Sequence, residues 1–548
     1  MKTSTSKIAL AVLMTLAGGQ ALAKDSIELN GFDMTLEQAW QIAEGKAEVE
    51  IDGKAEKRLE KAFDTLMTSA RLGKPVYGLT VGVGLNKDQK LFDASGEMTE
   101  EALKASREFQ YNAFRSHSAG VGEPMDPELV RLGMVVRLNT LLHGQTGVQP
   151  EVADLYVQYL NHDIIPVIPS QGTVGEADIL LASHVGLAMV GEWEVFYKGE
   201  RVSSAKAMQD AGIKPLNPIG KDALSILSNN AFSTAYTMKG FKQAEQLLEV
   251  APTTFALSLE ALNGNVSPYL PQTNDVRPFP SVQAMSETIL EQLDGSYLWD
   301  ANAERSLQDP LSYRTSGYTF AMAQKAADEL EKMLLIQVNA SDDNPAVVLE
   351  PSKKYLKESQ LQQYLVEGKG GVFPTANFNP LPVAMAAQQL NIALAQVSHN
   401  TAMRTLRLSD DQFTKLPRFL SAPGNPGHAF GAVQKTFADL HTRNKQLAQP
   451  VTFEGLSIAG NIEDTFTNLK LVSDNLIQIT DNMYTMFGVE LLHSTQAIDL
   501  RRAKNPDLKL GEATEELYDA YRAKVPFVKV DRPYTPDIAA GKLVVEQF

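Results

Sequence analysis

The stretch "PVAMAAQQLNIALAQVSHNTAMRTLRL", residues 382–408, restricts the fold more than any other part of the sequence. Its Ala, Leu and Gln content favours helix, and its apolar residues recur at spacings of three and four. Those residues reach most of the way round, so a helix of this length must be covered on several sides at once. A central helix of a large bundle is covered in that way. Regions 125–260 and 315–500 read mostly as long helices too. Strand-like segments are few: "WEVFYKGERV", 193–202, reads as a small hairpin turning at Lys198-Gly199. No Pro/Gly/Ser-rich linker divides the chain, and the expected architecture is mainly α.

The first residues, "MKTSTSKIALAVLMTLAGGQALAKDS", carry Lys2 and Lys7, then an apolar run from Ile8 to Leu16, then Ala21-Leu22-Ala23. A positive start, a short apolar run and a small-residue cleavage site make an export signal over 1–23. The run is too short for a permanent anchor, so a mature chain of 525 residues in the periplasm is expected. Removal of the two lysines takes the formal net charge from −16 to −18. An acidic surface argues against nucleic acid or an anionic membrane as partner. There is no cysteine, which excludes disulfides, thiolate metal sites and cysteine nucleophiles.

General catalytic motifs are missing. The eight histidines, at 117, 143, 162, 184, 399, 428, 441 and 493, contain no H-x-x-x-H pair, which argues against a zinc hydrolase. There is no G-x-S-x-G elbow, Walker loop or dinucleotide fingerprint, and "GLTVGVG" (78–84) lacks the Lys-Ser/Thr that would hold a nucleotide. No metal or bound cofactor is expected.

A series of short motifs is more specific. "PVYGLTVGVG" (75–84), "SHSAGVGEP" (116–124), "GTVGEAD" (172–178), "FSTAY" (232–236) and "DPLSYR" (309–314) occur in that order. They are followed by "ASDDNP" (340–345), "ANFNPLPVAMAA" (376–387), "NIED" (461–464) and "QAIDLR" (496–501). In order and register this series resembles the aromatic amino acid lyase family, closest to histidine ammonia-lyase, over about 77–502. The resemblance implies a long-helix bundle of the fumarase/aspartase-like type with an N-terminal active-site loop region. It also implies a homotetramer whose active sites are each built from several subunits, acting on a small-molecule substrate. The catalytic region is expected over 24–502, with 503–548 an extension of unassigned role.

Residue by residue, the resemblance implies that Tyr77 removes a β-proton and that Arg314 holds the substrate carboxylate. A guanidinium suits the second task because it binds carboxylate through two parallel hydrogen bonds. His117 matches the position facing an imidazole substrate, and Glu463 the acidic residue near the substrate amine and ring. Phe378 and Tyr313 are candidate aromatic walls.

The departures from the family pattern lie around the electrophile. Relatives carry Ala-Ser-Gly between the second glycine of this motif and its aspartate, and that triad cyclises into a methylidene-imidazolone. Here only Glu176-Ala177 stands between Gly175 and Asp178. Without the serine, the internal cofactor cannot form by the known route. The supporting asparagine is Ser228, followed by Asn229 and Asn230. The tyrosine expected before the clamp arginine is Leu311, and the glutamine before the acidic residue is Ile462.

A free amine leaves poorly and needs the electrophile, whereas a quaternary ammonium departs as a neutral amine. The combination therefore resembles ergothionase, and the expected reaction is loss of trimethylamine from a histidine-derived betaine such as ergothioneine or hercynine. Glu176, at the old cofactor position, and Glu463 are candidates to face the trimethylammonium, which calls for carboxylates or aromatic faces. The arylacrylate product would suit a periplasmic reductase as electron acceptor. Two alternatives stay open: an ammonia-lyase or aminomutase acting on histidine, tyrosine or a related amino acid, and a non-catalytic ligand-binding homologue.

Overall fold

In the computed structural model, which describes residues 25–80, 100–453 and 455–548, long helices make the centre of the molecule. The export signal over 1–23 and the end of the "PVYGLTVGVG" motif lie outside the described residues. Four helices dominate: Ala231–Leu262, Ser316–Val338, Leu381–Leu408 and Leu469–Arg502. The last of these packs against the first and third along much of its length, and Ser316–Val338 packs against both Leu381–Leu408 and Ala231–Leu262. Ala231–Leu262 and Leu469–Arg502 are buried almost all round, as the sequence pattern requires of helices in the middle of a bundle. Among the described residues no helix is long and apolar enough to cross a membrane.

Strands are short and peripheral. Asp25–Leu29 pairs in parallel with Ala47–Ile51, and Val121–Pro124 pairs antiparallel with Pro169–Gln171. The expected hairpin is present as Glu194–Tyr197 against Glu200–Ser203. Lys198 and Gly199 both take positive φ (53° and 78°), as a tight two-residue turn requires.

The segment after 502 is part of the same body. Helix Thr535–Gln547 lies along Leu469–Arg502, and the crossing is close because glycines meet there. A Cβ on Gly488 would come within 2.6 Å of the Lys542 backbone nitrogen. Asp531 ties the preceding loop to the bundle by accepting from the His428 N–H at 2.6 Å and from Asn425 Nδ2 at 2.7 Å.

An ion pair at the bundle centre is fully buried. Arg404 donates through Nε and Nη2 to Glu490 at 2.7 and 2.8 Å, and through Nη1 to Ser316 Oγ at 2.8 Å. Three of the long helices are thereby fixed in mutual register. Arg404→Met would strand the Glu490 charge in the core, and an isolated buried charge of this kind costs about 3–5 kcal/mol. Chemical denaturation should show that loss. The double variant Arg404→Met/Glu490→Leu, which leaves no charge behind, should recover most of it.

Candidate active site

The site is built around a tight turn over 174–178. Gly175 (φ 77°) and Ala177 (φ 66°) are both left-handed. A Cβ at Gly175 would stand 2.3 Å from Thr467 Oγ1, so only glycine fits there. The left-handed conformation costs an L-residue about 1–2 kcal/mol, and surrounding hydrogen bonds hold Ala177 in it. The Ala177 N–H donates to Asn230 Oδ1 at 3.2 Å, and the Asp178 N–H to the Asn229 carbonyl at 2.6 Å. On the other side, Thr467 Oγ1 donates to the Gly175 carbonyl at 2.5 Å and the Asn468 N–H to the Val174 carbonyl at 2.9 Å.

Beneath the turn, the buried Asp178 carboxylate accepts from the Ser233 N–H (2.7 Å), Ser233 Oγ (2.5 Å) and Thr173 Oγ1 (2.8 Å). Burial pushes this carboxyl above the usual range and those hydrogen bonds oppose the shift. The backbone on either side of Glu176 is thus fixed, and the Glu176 side chain is left at the cavity.

That cavity has a volume of about 550 Å³, and its walls include Tyr77, Glu176, Ser228, Phe378 and Glu463. Five of the eight residues singled out in the sequence therefore meet in one chain. Glu176 Oε1 accepts from Asn379 Nδ2 at 3.0 Å. Burial, and secondarily the nearby Glu463, push the Glu176 carboxyl up to about 7. Glu463 is presented by a loop closed where the Ile458 N–H donates to the Glu463 carbonyl at 2.9 Å. The helix that follows Asp178 begins at the cavity, whose wall includes Ile179.

The other three candidates lie elsewhere in the chain. Tyr313 is not a wall: it is completely buried in the bundle, with its hydroxyl 3.1 Å from Ser258 Oγ and its ring beside Phe255. It occupies the core because the short Leu311–Arg314 helix turns it inward while Leu311 is exposed. Arg314 is half-buried, donates from Nε to the Asp309 carbonyl at 2.8 Å, and does not line the cavity. His117 ends the Glu100–His117 helix, also off the cavity wall, with Nδ1 2.8 Å from the Ala113 carbonyl oxygen.

Other wall residues had no role assigned from sequence. Asn344 and Thr375 belong to one linkage, since Asn344 Oδ1 accepts from the Thr375 N–H at 2.9 Å. Asn344 stands in the quoted "ASDDNP" motif, which was the available signal. Tyr364 also lines the cavity, and no motif marks it. Beneath this wall the buried Arg137 guanidinium pairs with Asp342 at 3.0 Å and Asp343 at 3.2 Å. Among the described residues no group of three or more His, Asp or Glu is placed to hold a metal ion.

Comparison with known proteins identifies the family. The model of the aromatic amino acid lyase family matches residues 34–523. Histidine ammonia-lyase of a Geobacillus species is 30% identical over 520 residues, covering 94% of this chain and 95% of that protein. The histidine ammonia-lyase of Caldanaerobacter subterraneus is 28% identical over 515 residues, covering 94% and 95%. Among solved structures, an ergothionase from Treponema denticola in complex with desmethyl-ergothioneine sulfonic acid superposes with a TM-score of 0.85. It is 37% identical and covers 95% of this chain and 99% of that one. A tyrosine aminomutase from Streptomyces globisporus gives a TM-score of 0.81 at 26% identity, covering 95% and 97%. With its long-helix bundle and family motifs, the chain belongs to the aromatic amino acid lyase family, close to histidine ammonia-lyase, and is a carbon–nitrogen lyase by descent.

Proposed function

We propose that this enzyme eliminates an amine that is already a permanent cation, and does so without the family's internal electrophile. The observation that carries the reading is the cavity face over 174–178. The turn presents the Glu176 carboxyl toward Glu463 where relatives build the electrophile, and the residues there do not fit such a group. No serine is available between Gly175 and Asp178 to lose water, and the Ala177 and Asp178 N–H groups are committed to Asn230 and Asn229. Two carboxyl groups and the Phe378 ring suit a trimethylammonium, which attracts both without donating a hydrogen bond. The favoured substrate is a histidine-derived betaine such as ergothioneine or hercynine, and the similarity to the Treponema ergothionase supports that choice.

In this scheme the Tyr77 oxygen, as phenolate, takes the β-proton. The C–H electron pair forms the Cα=Cβ bond, and the C–N pair leaves with neutral trimethylamine, giving an arylacrylate. Arg314 of a neighbouring copy in a homotetramer supplies the carboxylate clamp, which explains its distance from the cavity of its own chain. His117 faces the imidazole in the same assembly, and Ser228 lines the same cavity as Glu176. Export by the 1–23 segment places the enzyme in the periplasm, where a reductase would use the unsaturated product. A second reading, an ammonia-lyase or aminomutase acting on histidine or tyrosine, draws support from the histidine ammonia-lyase relatives.

Five outcomes test the scheme. Borohydride, which reduces an internal electrophile, should leave turnover of ergothioneine or hercynine unchanged; inactivation would restore the second reading. Tyr77→Phe should abolish formation of the ultraviolet-absorbing arylacrylate while retaining most of the binding, and Arg314→Ala should weaken binding and rate together. A cation is attracted to Glu176 only when it is ionised, so kcat/KM should show a rising limb with a midpoint near 7, distinct from any limb due to Tyr77 ionisation. Glu176→Gln should remove that limb and lower kcat/KM. An unchanged limb in the variant assigns the titration to another group and rejects the role given to Glu176.

A further inference from the structure

Asn230 stands where three parts of the cavity wall are joined, and its side chain is completely buried. Its Oδ1 accepts from the Ala177 N–H at 3.2 Å, in the turn that carries Glu176. Its Nδ2 donates to the Phe378 carbonyl at 2.7 Å, in the loop that carries the aromatic wall. Its own N–H donates to Asp342 Oδ2 at 2.8 Å, and Asp342 is held by Arg137. The amide orientation is fixed by the partners, since an N–H requires the oxygen and a carbonyl requires the nitrogen. Only a carboxamide offers an acceptor and a donor side by side on one short planar group. A hydroxyl at this position would satisfy both loops poorly, and an ionised carboxylate would oppose the Phe378 carbonyl.

Asn229 provides an internal contrast. It is equally buried, but its side chain stays local, with Nδ2 donating to the Ile226 carbonyl at 2.8 Å and Oδ1 accepting from the Ala231 N–H at 3.0 Å. It supports the cavity turn through its backbone carbonyl, which a substitution leaves in place.

We propose that Asn230 is the positioning residue of this site: its carboxamide sets the separation between Glu176 and the Phe378 wall, and thereby the cavity's selectivity for a quaternary ammonium group. The inference rests on the cation-binding reading above. Asn230 touches no substrate and acts through the two groups it holds.

The test compares Asn230→Ala with Asn229→Ala in the full-length protein. One readout is the binding of tetramethylammonium by calorimetry. The other is the pH midpoint of Glu176, followed by infrared titration of the carboxyl band that Glu176→Gln removes. Asn229→Ala should lower thermal stability, with a smaller change in affinity and midpoint than Asn230→Ala. Asn230→Ala should weaken tetramethylammonium binding by about tenfold and displace the midpoint.

Equal effects from the two variants would mean a merely structural role and overturn the proposal, as would an unmoved midpoint and affinity in Asn230→Ala. Should that variant fail to fold, Asn230→Ser, whose hydroxyl serves one loop at a time, is read by the same criteria with a smaller displacement expected. If the unaltered protein does not bind tetramethylammonium, the cation reading fails. A displaced Glu176 midpoint in Asn230→Ala alone would then still support the positioning role.

Discussion

The pairing of the 174–178 turn with Asn229 and Asn230 is the constraint on which the cavity depends. Two successive N–H groups, of Ala177 and Asp178, are bound by two successive asparagines, one through its side chain and one through its carbonyl. The Asp178 carboxylate closes the arrangement from below on Ser233, at the start of the helix that follows those asparagines. Each group is buried, so each unmade bond would cost the desolvation of a polar group. A turn with two left-handed residues persists because everything around it is satisfied. Glu176, the one side chain of this segment left at the cavity, inherits its position from that rigidity.

The electrostatics follow from the same packing. Burial and the proximity of Glu463 raise the Glu176 carboxyl, bringing it to the edge of ionisation near neutral pH. A permanent cation between the two carboxyl groups would release that tension, drawing the proton from Glu176 and gaining two opposite charges. A neutral amine would have to become charged to gain as much. On the proposed reading, the cavity would discriminate by charge before shape, and the leaving group would be the part of the substrate it selects.

Much of this was legible in the residues. The apolar pattern of 382–408 gives a helix that needs cover on several sides; the helix Leu381–Leu408 packs against Ser316–Val338, Leu469–Arg502 and Gln434–Leu447, while Leu381, Met385 and Ile392 stay exposed. The turn at Lys198-Gly199 was set by local chemistry alone. Tyr77, Glu176, Phe378 and Glu463 each stand in a motif and Ser228 just before another, and the fold brings all five to one cavity although they are far apart in sequence. Tyr313 was misplaced because a tyrosine next to a clamp arginine looks like a wall until the direction of a four-residue helix is known. Asn230 escaped for a different reason. Its role is to satisfy two backbone groups in two distant loops, and no spacing in the sequence marks an asparagine that does this.

The central claim is that the amine leaves because it is already a cation. It is tested most directly by identifying the volatile amine that the purified protein releases. Supplied with ergothioneine and histidine in parallel, it should liberate trimethylamine from the first and no ammonia from the second. Ammonia from histidine would contradict the account.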